Sequence, residues 1–234
     1  MFLTRRAFGT GAVSMATASP ATIAPPLRLP PAARPAVALT LDACPGAFDE
    51  RLAHALADNG IAATIFLTAL WIRMNPDGLA FLLAHRDLFS LQNHGARHLP
   101  PILGNRSVYG LKAAGTWDAI RTEIVAGADA IYDASGGNPT WYRGASALYS
   151  PEVLDPIRKM GFGIGGFSLN ADMGASLSAG AVASRIAKAQ DGDVILGHIN
   201  QPLRPSGTGI AAGAAALKRQ GMDFVWLPSV AENN

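Results

Sequence analysis

The chain has 234 residues, enough for one sizeable domain with a buried core and too few for two ordinary ones once a leader is set aside. Hydrophobic residues make up 49% and charged residues 15%, which excludes a disordered chain. Nineteen basic residues face 17 acidic ones, and the balance is even without Arg5 and Arg6, so charge gives no footing for a nucleic-acid partner.

In chain order, the first feature is Arg5-Arg6 followed by a mildly apolar run from Phe8 to about Ile23. This is the layout of a twin-arginine export signal, spanning residues 1–24. Ala16-Thr17-Ala18 and Thr22-Ile23-Ala24 are the candidate cleavage sites, and the first fits the small-x-small pattern better. The run is interrupted by glycines and a proline and is too weakly apolar for a good membrane span, so no stable span is expected in the mature protein. These features predict a bacterial protein that is periplasmic or secreted, with the twin-arginine translocation machinery as its partner during export. Pro25-Pro26 and Pro30-Pro31 then predict an extended linker over residues 25–35.

From Ala36 onward, short apolar runs alternate with helical patterns. Predicted strands are Ala36–Asp42, Ala62–Leu67, Leu88–Asn93, Thr140–Arg143, Phe162–Leu169, Asp193–His198 and Met222–Leu227. Asp49 is placed to cap a helix carrying Leu52 and Leu56, ended by Asn59-Gly60. Thr116 is placed to cap one carrying Ile120, Ile124 and Ile131, ended by Gly136-Gly137. Ser150-Pro151, Ser178 and Thr208 open three more, the first shortened or kinked by Pro156. Alternating strands and helices predict a parallel sheet with helical cover. Seven strands fit a small irregular barrel better than a complete eight-fold one, with a doubly wound open sheet as the alternative.

The polar residues fall where chemistry would sit in such a barrel. Asp42 ends the first strand, His94 follows the third, Arg143 ends the fourth and His198 ends the sixth. Parallel strands bring these ends to one face. His94 and His98, four residues apart, suit a helical turn that presents two imidazoles to one metal ion. His54 and His85 fall in predicted helices and need no function. A lone cysteine, Cys44, excludes an intramolecular disulfide.

These segments resemble, in order, the motifs of the polysaccharide deacetylase family, carbohydrate esterase family four. Thr40-Leu41-Asp42-Ala43-Cys44 is similar to its Thr-Phe-Asp-Asp-Gly strand end. Asn93-His94-Gly95-Ala96-Arg97-His98 resembles its Asn-His-(Ser/Thr)-x-x-His metal motif, Tyr142-Arg143-Gly144 its arginine motif, and Leu196-Gly197-His198 its late Leu-x-His. The resemblance implies an α/β fold, a distorted seven-stranded (β/α) barrel, as a catalytic domain over residues 36–228. It also implies a divalent metal, usually zinc, and a carbohydrate substrate from which N-acetyl groups are hydrolysed. His94 and His98 would hold the metal, Asp42 act as general base, Arg143 pair with Asp42, and His198 protonate the leaving amine.

One departure from the pattern bears on the metal. Ala43 stands where the family has its third protein ligand, an aspartate. Either Asp49 reaches back to the metal, the reading favoured among the three and weighed equally with a plain helix cap, or Cys44 supplies a thiolate, or catalysis is impaired. For Cys44, the bland reading is a small buried residue. Trp141 and Tyr142, beside the arginine, and Asp172 are candidate substrate-binding residues. The alternatives are core packing for Trp141 and, for Asp172, orientation of His198 or a turn cap. Two other readings use the same fold: hydrolysis of a small amide or cyclic imide, and a non-catalytic carbohydrate-binding envelope protein. An open groove would favour a polymer and a closed pocket a small amide.

Overall fold

The structure is a computed structural model that describes residues 21–230. Arg5, Arg6, most of the expected leader and the Ala16-Thr17-Ala18 site lie outside the described residues.

Among the described residues, ten strands and seven α-helices alternate along the chain. The strands are β1 (Ala36–Ala43), β2 (Ala63–Leu67), β3 (Phe89–Asn93), β4 (Ser107–Val108), β5 (Leu111–Lys112), β6 (Trp141–Tyr142), β7 (Gly163–Ile164), β8 (Leu169–Asn170), β9 (Val194–His198) and β10 (Asp223–Phe224). The helices are α1 (Glu50–Asp58), α2 (Ala69–Met74), α3 (Pro76–Ala84), α4 (Trp117–Ser135), α5 (Pro151–Lys159), α6 (Ala179–Ile186) and α7 (Ser206–Arg219).

The predicted start signals act as expected at three helices. The side chains of Asp49, Thr116 and Ser178 accept hydrogen bonds from the first turns of α1, α4 and α6, and Gly136 ends α4 in the left-handed conformation. Pro156 sits inside α5 without ending it.

The sheet runs in the order β7-β6-β3-β2-β1-β9-β8, with β10 paired to the start of β1 and every pairing parallel. Along β1, Val37, Leu39, Leu41 and Ala43 pack outward into the cluster under α1, α6 and α7, while Ala38 belongs to the interior cluster with Phe66, Trp141, Val194 and Leu227. Period-two alternation therefore sends Thr40 and Asp42 inward and Ala43 outward. Each fully buried Leu or Ile in the outer cluster contributes about 1.5–3 kcal/mol.

The sheet curls almost into a barrel, and the connection between its edges requires this. β7 and β8 stand at opposite ends of the hydrogen-bonded order, yet only Gly165, Gly166, Phe167 and Ser168 separate them. The expected single strand Phe162–Leu169 is thus two short edge strands joined across an open seam.

The segment expected as a free linker fills that seam. Leu27 N–H donates to Phe167 O at 3.3 Å, Leu29 N–H donates to Gly192 O at 2.8 Å, and Arg28 pairs with Asp193 at 2.7 Å. Ile23 and Tyr149 exchange two backbone bonds of 2.9 Å each. The N–H groups of Leu27 and Leu29 thus dock on the barrel instead of facing water. Among the described residues no helix is long and apolar enough to cross a membrane.

Candidate active site

Strand register places the functional residues. Asp42 lies level with His198 across β1 and β9, and Asn93, the residue before His94, lies level with Tyr142, the residue before Arg143. Four strands therefore deliver their C-terminal residues to one rim.

Arg143 is wholly buried and fully engaged. Its Nη1 donates to Asp42 Oδ1 at 2.9 Å, Nε to Gly165 O at 2.7 Å and Nη2 to Gly166 O at 2.9 Å, and the guanidinium lies 4.3 Å over the Phe66 ring. The carbonyls that anchor it belong to the turn between β7 and β8, so the seam and the site share one structure. Burial alone would raise the Asp42 carboxyl, but Arg143, with smaller contributions from His94 and His198, holds it below the usual carboxylate range. Asp42 is ionised and its second oxygen, Oδ2, lies 3.8 Å from His94 Nε2.

The two histidines meet without a helical turn. His94 leaves β3 and the chain bends through Gly95 (φ 87°) to His98 (φ 68°), which brings the imidazole centroids to 4.9 Å. The expected helical presentation is corrected: residues 94–99 are irregular and are clamped from behind. Asn93 Oδ1 accepts from Gly95 N–H at 2.8 Å, while buried Glu123 of α4 accepts from the N–H groups of Arg97 at 2.6 Å and Leu99 at 3.2 Å. α4 comes this close because residue 127 is glycine; a Cβ there would strike Asn93 Oδ1 and the backbone of Gly95.

His94 Nδ1 lies 2.7 Å from Arg143 O. A carbonyl only accepts, so Nδ1 carries a proton, and Nε2, whose lone pair is available once the ring gives up its second proton, faces the cavity. There it meets Cys44 Sγ at 3.4 Å. Cys44, His94 and His98 each offer one ligand atom, and these lie within 4.8 Å of one another, which makes them a candidate metal group. Cys44 is half-buried and lines the cavity, so the bland reading of it as a small core residue is corrected. Burial raises its thiol, but the His94 charge and hydrogen bonds to His198, His94 and His98 outweigh this and bring it well below the ordinary thiol range.

His198 is oriented by Asp172, whose carboxylate lies 2.9 and 3.1 Å from Nδ1 and accepts from the His198 backbone N–H at 2.9 Å. Burial lowers the imidazole, yet the Asp172 hydrogen bond, with smaller contributions from Cys44, keeps it well above its ordinary value. Its Nδ1 faces the Asp172 carboxylate, which leaves Nε2 free of Asp172 on the cavity side.

Several expected positions are elsewhere. Asp49 does not reach the histidines: its carboxylate caps α1 at Leu52 N, pairs with Arg51 at 3.3 Å and packs against Gly207 at the start of α7. The expected metal-ligand role gives way to a helix cap, because the carboxylate is taken up by the first turn of α1 and by Arg51. Trp141 and Tyr142 do not line either cleft. Trp141 is in the interior cluster with its indole N–H donating to Pro228 O, and Tyr142 is fully buried beside Tyr149. Both faces of β6 are covered, so adjacency to Arg143 does not bring them to the rim. Asp172, also fully buried, orients His198 and is not part of either cleft's lining.

Sequence reading missed Glu123, although an acid in the apolar stripe of Ile120, Ile124 and Ile131 was a visible signal. It also missed the β4–β5 hairpin.

These groups open onto a cavity of about 470 Å³ with walls that include Tyr109, Leu111, Leu148, Phe167, Met173 and Ala24. A second, shallower cleft of about 520 Å³ shares Cys44, His98, Leu111, Gly174 and His198 with it and continues past Arg97, Lys112 and Gln201.

Residues 30–165, more than half of the chain, match the sequence profile of the polysaccharide deacetylase family. The chain belongs to that family. A family 4 carbohydrate esterase from Streptomyces lividans, in complex with acetate, superposes with a TM-score of 0.65 at 22% identity, over 84% of this chain and 95% of that one. A peptidoglycan N-acetylglucosamine deacetylase gives 0.69 at 22% identity, over 85% and 88%. A family 4 pseudoenzyme from Bacillus anthracis gives 0.64 at 21%, over 92% and 69%. At these identities the likeness establishes the fold, and the curled, nearly closed parallel sheet expected from the sequence is the one they share. No curated protein matches the sequence significantly.

Proposed function

We propose that the protein removes N-acetyl groups from an amino-sugar polymer or oligomer by hydrolysis, with a divalent cation, zinc in kind, held by His94 and His98. The carrying observation is the convergence of an ionised carboxylate, a two-histidine cradle and an aspartate-backed imidazole on one cavity. The cradle suits a cation: His94 Nε2 is the nitrogen left for it because Nδ1 is tied to Arg143 O, and His98 stands beside it. A cation there supplies Lewis-acid polarisation of the acyl carbonyl.

The chain's own groups carry the proton transfers. Asp42, fixed by Arg143, takes a proton from the attacking water as the new carbon–oxygen bond forms. His198, oriented by Asp172, gives its Nε2 proton to the amide nitrogen as the carbon–nitrogen bond breaks. That step matters because an unprotonated amide nitrogen is a poor leaving group. The products are acetate and a free amino sugar.

The two clefts support an extended substrate over a small amide or imide, because they continue on either side of the shared residues Cys44, His98 and His198. Tyr109, at the tip of the β4–β5 hairpin, is the aromatic residue best exposed to stack on a sugar face. The Arg5-Arg6 signal supports export by the twin-arginine route to the periplasm or beyond. Cleavage after Ala18 would leave the docked segment around Ile23 intact, and the mass of the exported protein tests this.

For the activity, the measurement is acetate released from N-acetylated chitin oligomers and peptidoglycan by metal-loaded protein. Release should be lost in His94→Ala and His198→Ala. No acetate from any acetylated glycan, with the fold intact, would overturn the reading.

A further inference from the structure

We infer that the Cys44 thiolate is the third protein ligand of the cation, standing in for the carboxylate that Ala43 does not provide. The inference rests on the reading of His94 and His98 as cation ligands and names what completes their site.

Three observations carry it. First, β1 alternation points Ala43 outward into the helical cluster, so a ligand from this strand end must come from the next residue. Cys44 is that residue, and it lines both clefts. Second, the spacing fits. Ligand atoms around a tetrahedral ion with ordinary nitrogen and sulfur bond lengths lie about 3.5 Å apart. Sγ lies 3.4 Å from His94 Nε2, and the atoms of Cys44, His94 and His98 are all within 4.8 Å of one another.

Third, Asp49 is committed to the α1 cap and Asp172 to His198, while Asp42, with one oxygen on Arg143, is not among the residues whose ligand atoms lie within 4.8 Å of one another. A thiolate carries the same single negative charge as the carboxylate it replaces, so the charge of the ligand set is preserved. Its softness changes the preferred metal. Two imidazoles and a thiolate select zinc or cobalt(II) over magnesium, calcium or manganese.

Cobalt substitution reads the ligand directly, because a cobalt–thiolate bond gives a near-ultraviolet charge-transfer band and Cys44 is the chain's one cysteine. Apoprotein of the full chain would be titrated with cobalt(II), with Cys44→Ala, Cys44→Asp, His94→Ala and His98→Ala alongside. Circular dichroism would confirm that each variant folds. The expected result is one cobalt per chain with the band present. Cys44→Ala should lose the band and bind at least about tenfold more weakly. Cys44→Asp should regain affinity without the band, and both histidine variants should lose it.

One cobalt bound without the band would overturn the thiolate ligand while leaving the two-histidine reading in place. A band that survives both histidine substitutions would put the ion elsewhere and overturn the proposal. Neither cobalt nor zinc bound by the wild type would remove the histidine reading and the proposal together.

Discussion

Arg143 touches no solvent, and its three hydrogen bonds go to one carboxylate and two carbonyls, so its effect on the site can be separated by substitution. Arg143→Met leaves Asp42 as an unpaired buried charge and should cost about 3–5 kcal/mol in urea denaturation. Arg143→Lys should recover part of that loss, because it keeps the charge but not the fork that spans Gly165 and Gly166. Asp172→Asn should act on turnover: with the charge behind His198 gone, kcat should fall on the order of 10²-fold with KM little changed. An unchanged kcat would remove Asp172 as the positioning residue. Asp42, His94, Arg143 and His198 were legible in the sequence because a strand's end fixes where its last residue goes. Asp49 and Cys44 were not. Both lie beyond that end, and nothing in Pro45-Gly46 says which of them turns toward the histidines. Trp141 and Tyr142 were misplaced because nearness in sequence to Arg143 is not nearness to the rim when both faces of a two-residue strand are covered.

At the scale of elements, the site depends on parts that hold no catalytic group. α4 was readable from its Thr116 cap and its apolar stripe, but its purpose was not. Glu123 and Gly127 use that helix as a back plate for the loop that carries His98. The β4–β5 hairpin was invisible because two-residue strands leave no periodicity to detect. Its turn residues Tyr109 (φ 51°) and Gly110 (φ 78°) adopt the left-handed conformations that tight hairpins require. This leaves Tyr109 83% exposed at the edge of the 470 Å³ cavity. Tyr109→Ala should raise KM for an acetylated oligosaccharide by up to about tenfold, with kcat nearly unchanged. An unaltered KM across oligomer lengths would show that the hairpin does not hold sugar.

For the whole molecule, alternation of strands and helices was enough to read a parallel, curled sheet, and seven strands suggested incomplete closure. What the sequence concealed was where the barrel stays open, because hydrophobic patterning reports which residues are buried and not which edges meet. The Phe162–Leu169 run, read as one strand, holds both edges, and the proline-rich stretch read as a spacer lies across the gap. Removing residues 21–30 should therefore lower Tm by roughly 5–10 °C, since the seam would lose Leu27, Leu29 and their backbone bonds. A Tm equal to that of a chain beginning at residue 21 would show the docking to be incidental. The seam also sets an order of events in folding. Residues 23–29 find their partners at Tyr149, Phe167, Gly192 and Asp193, more than a hundred positions downstream. Loop closure over such a span comes late. The segment synthesised among the first is thus among the last to settle, and its docking marks a barrel whose C-terminal half is already in place.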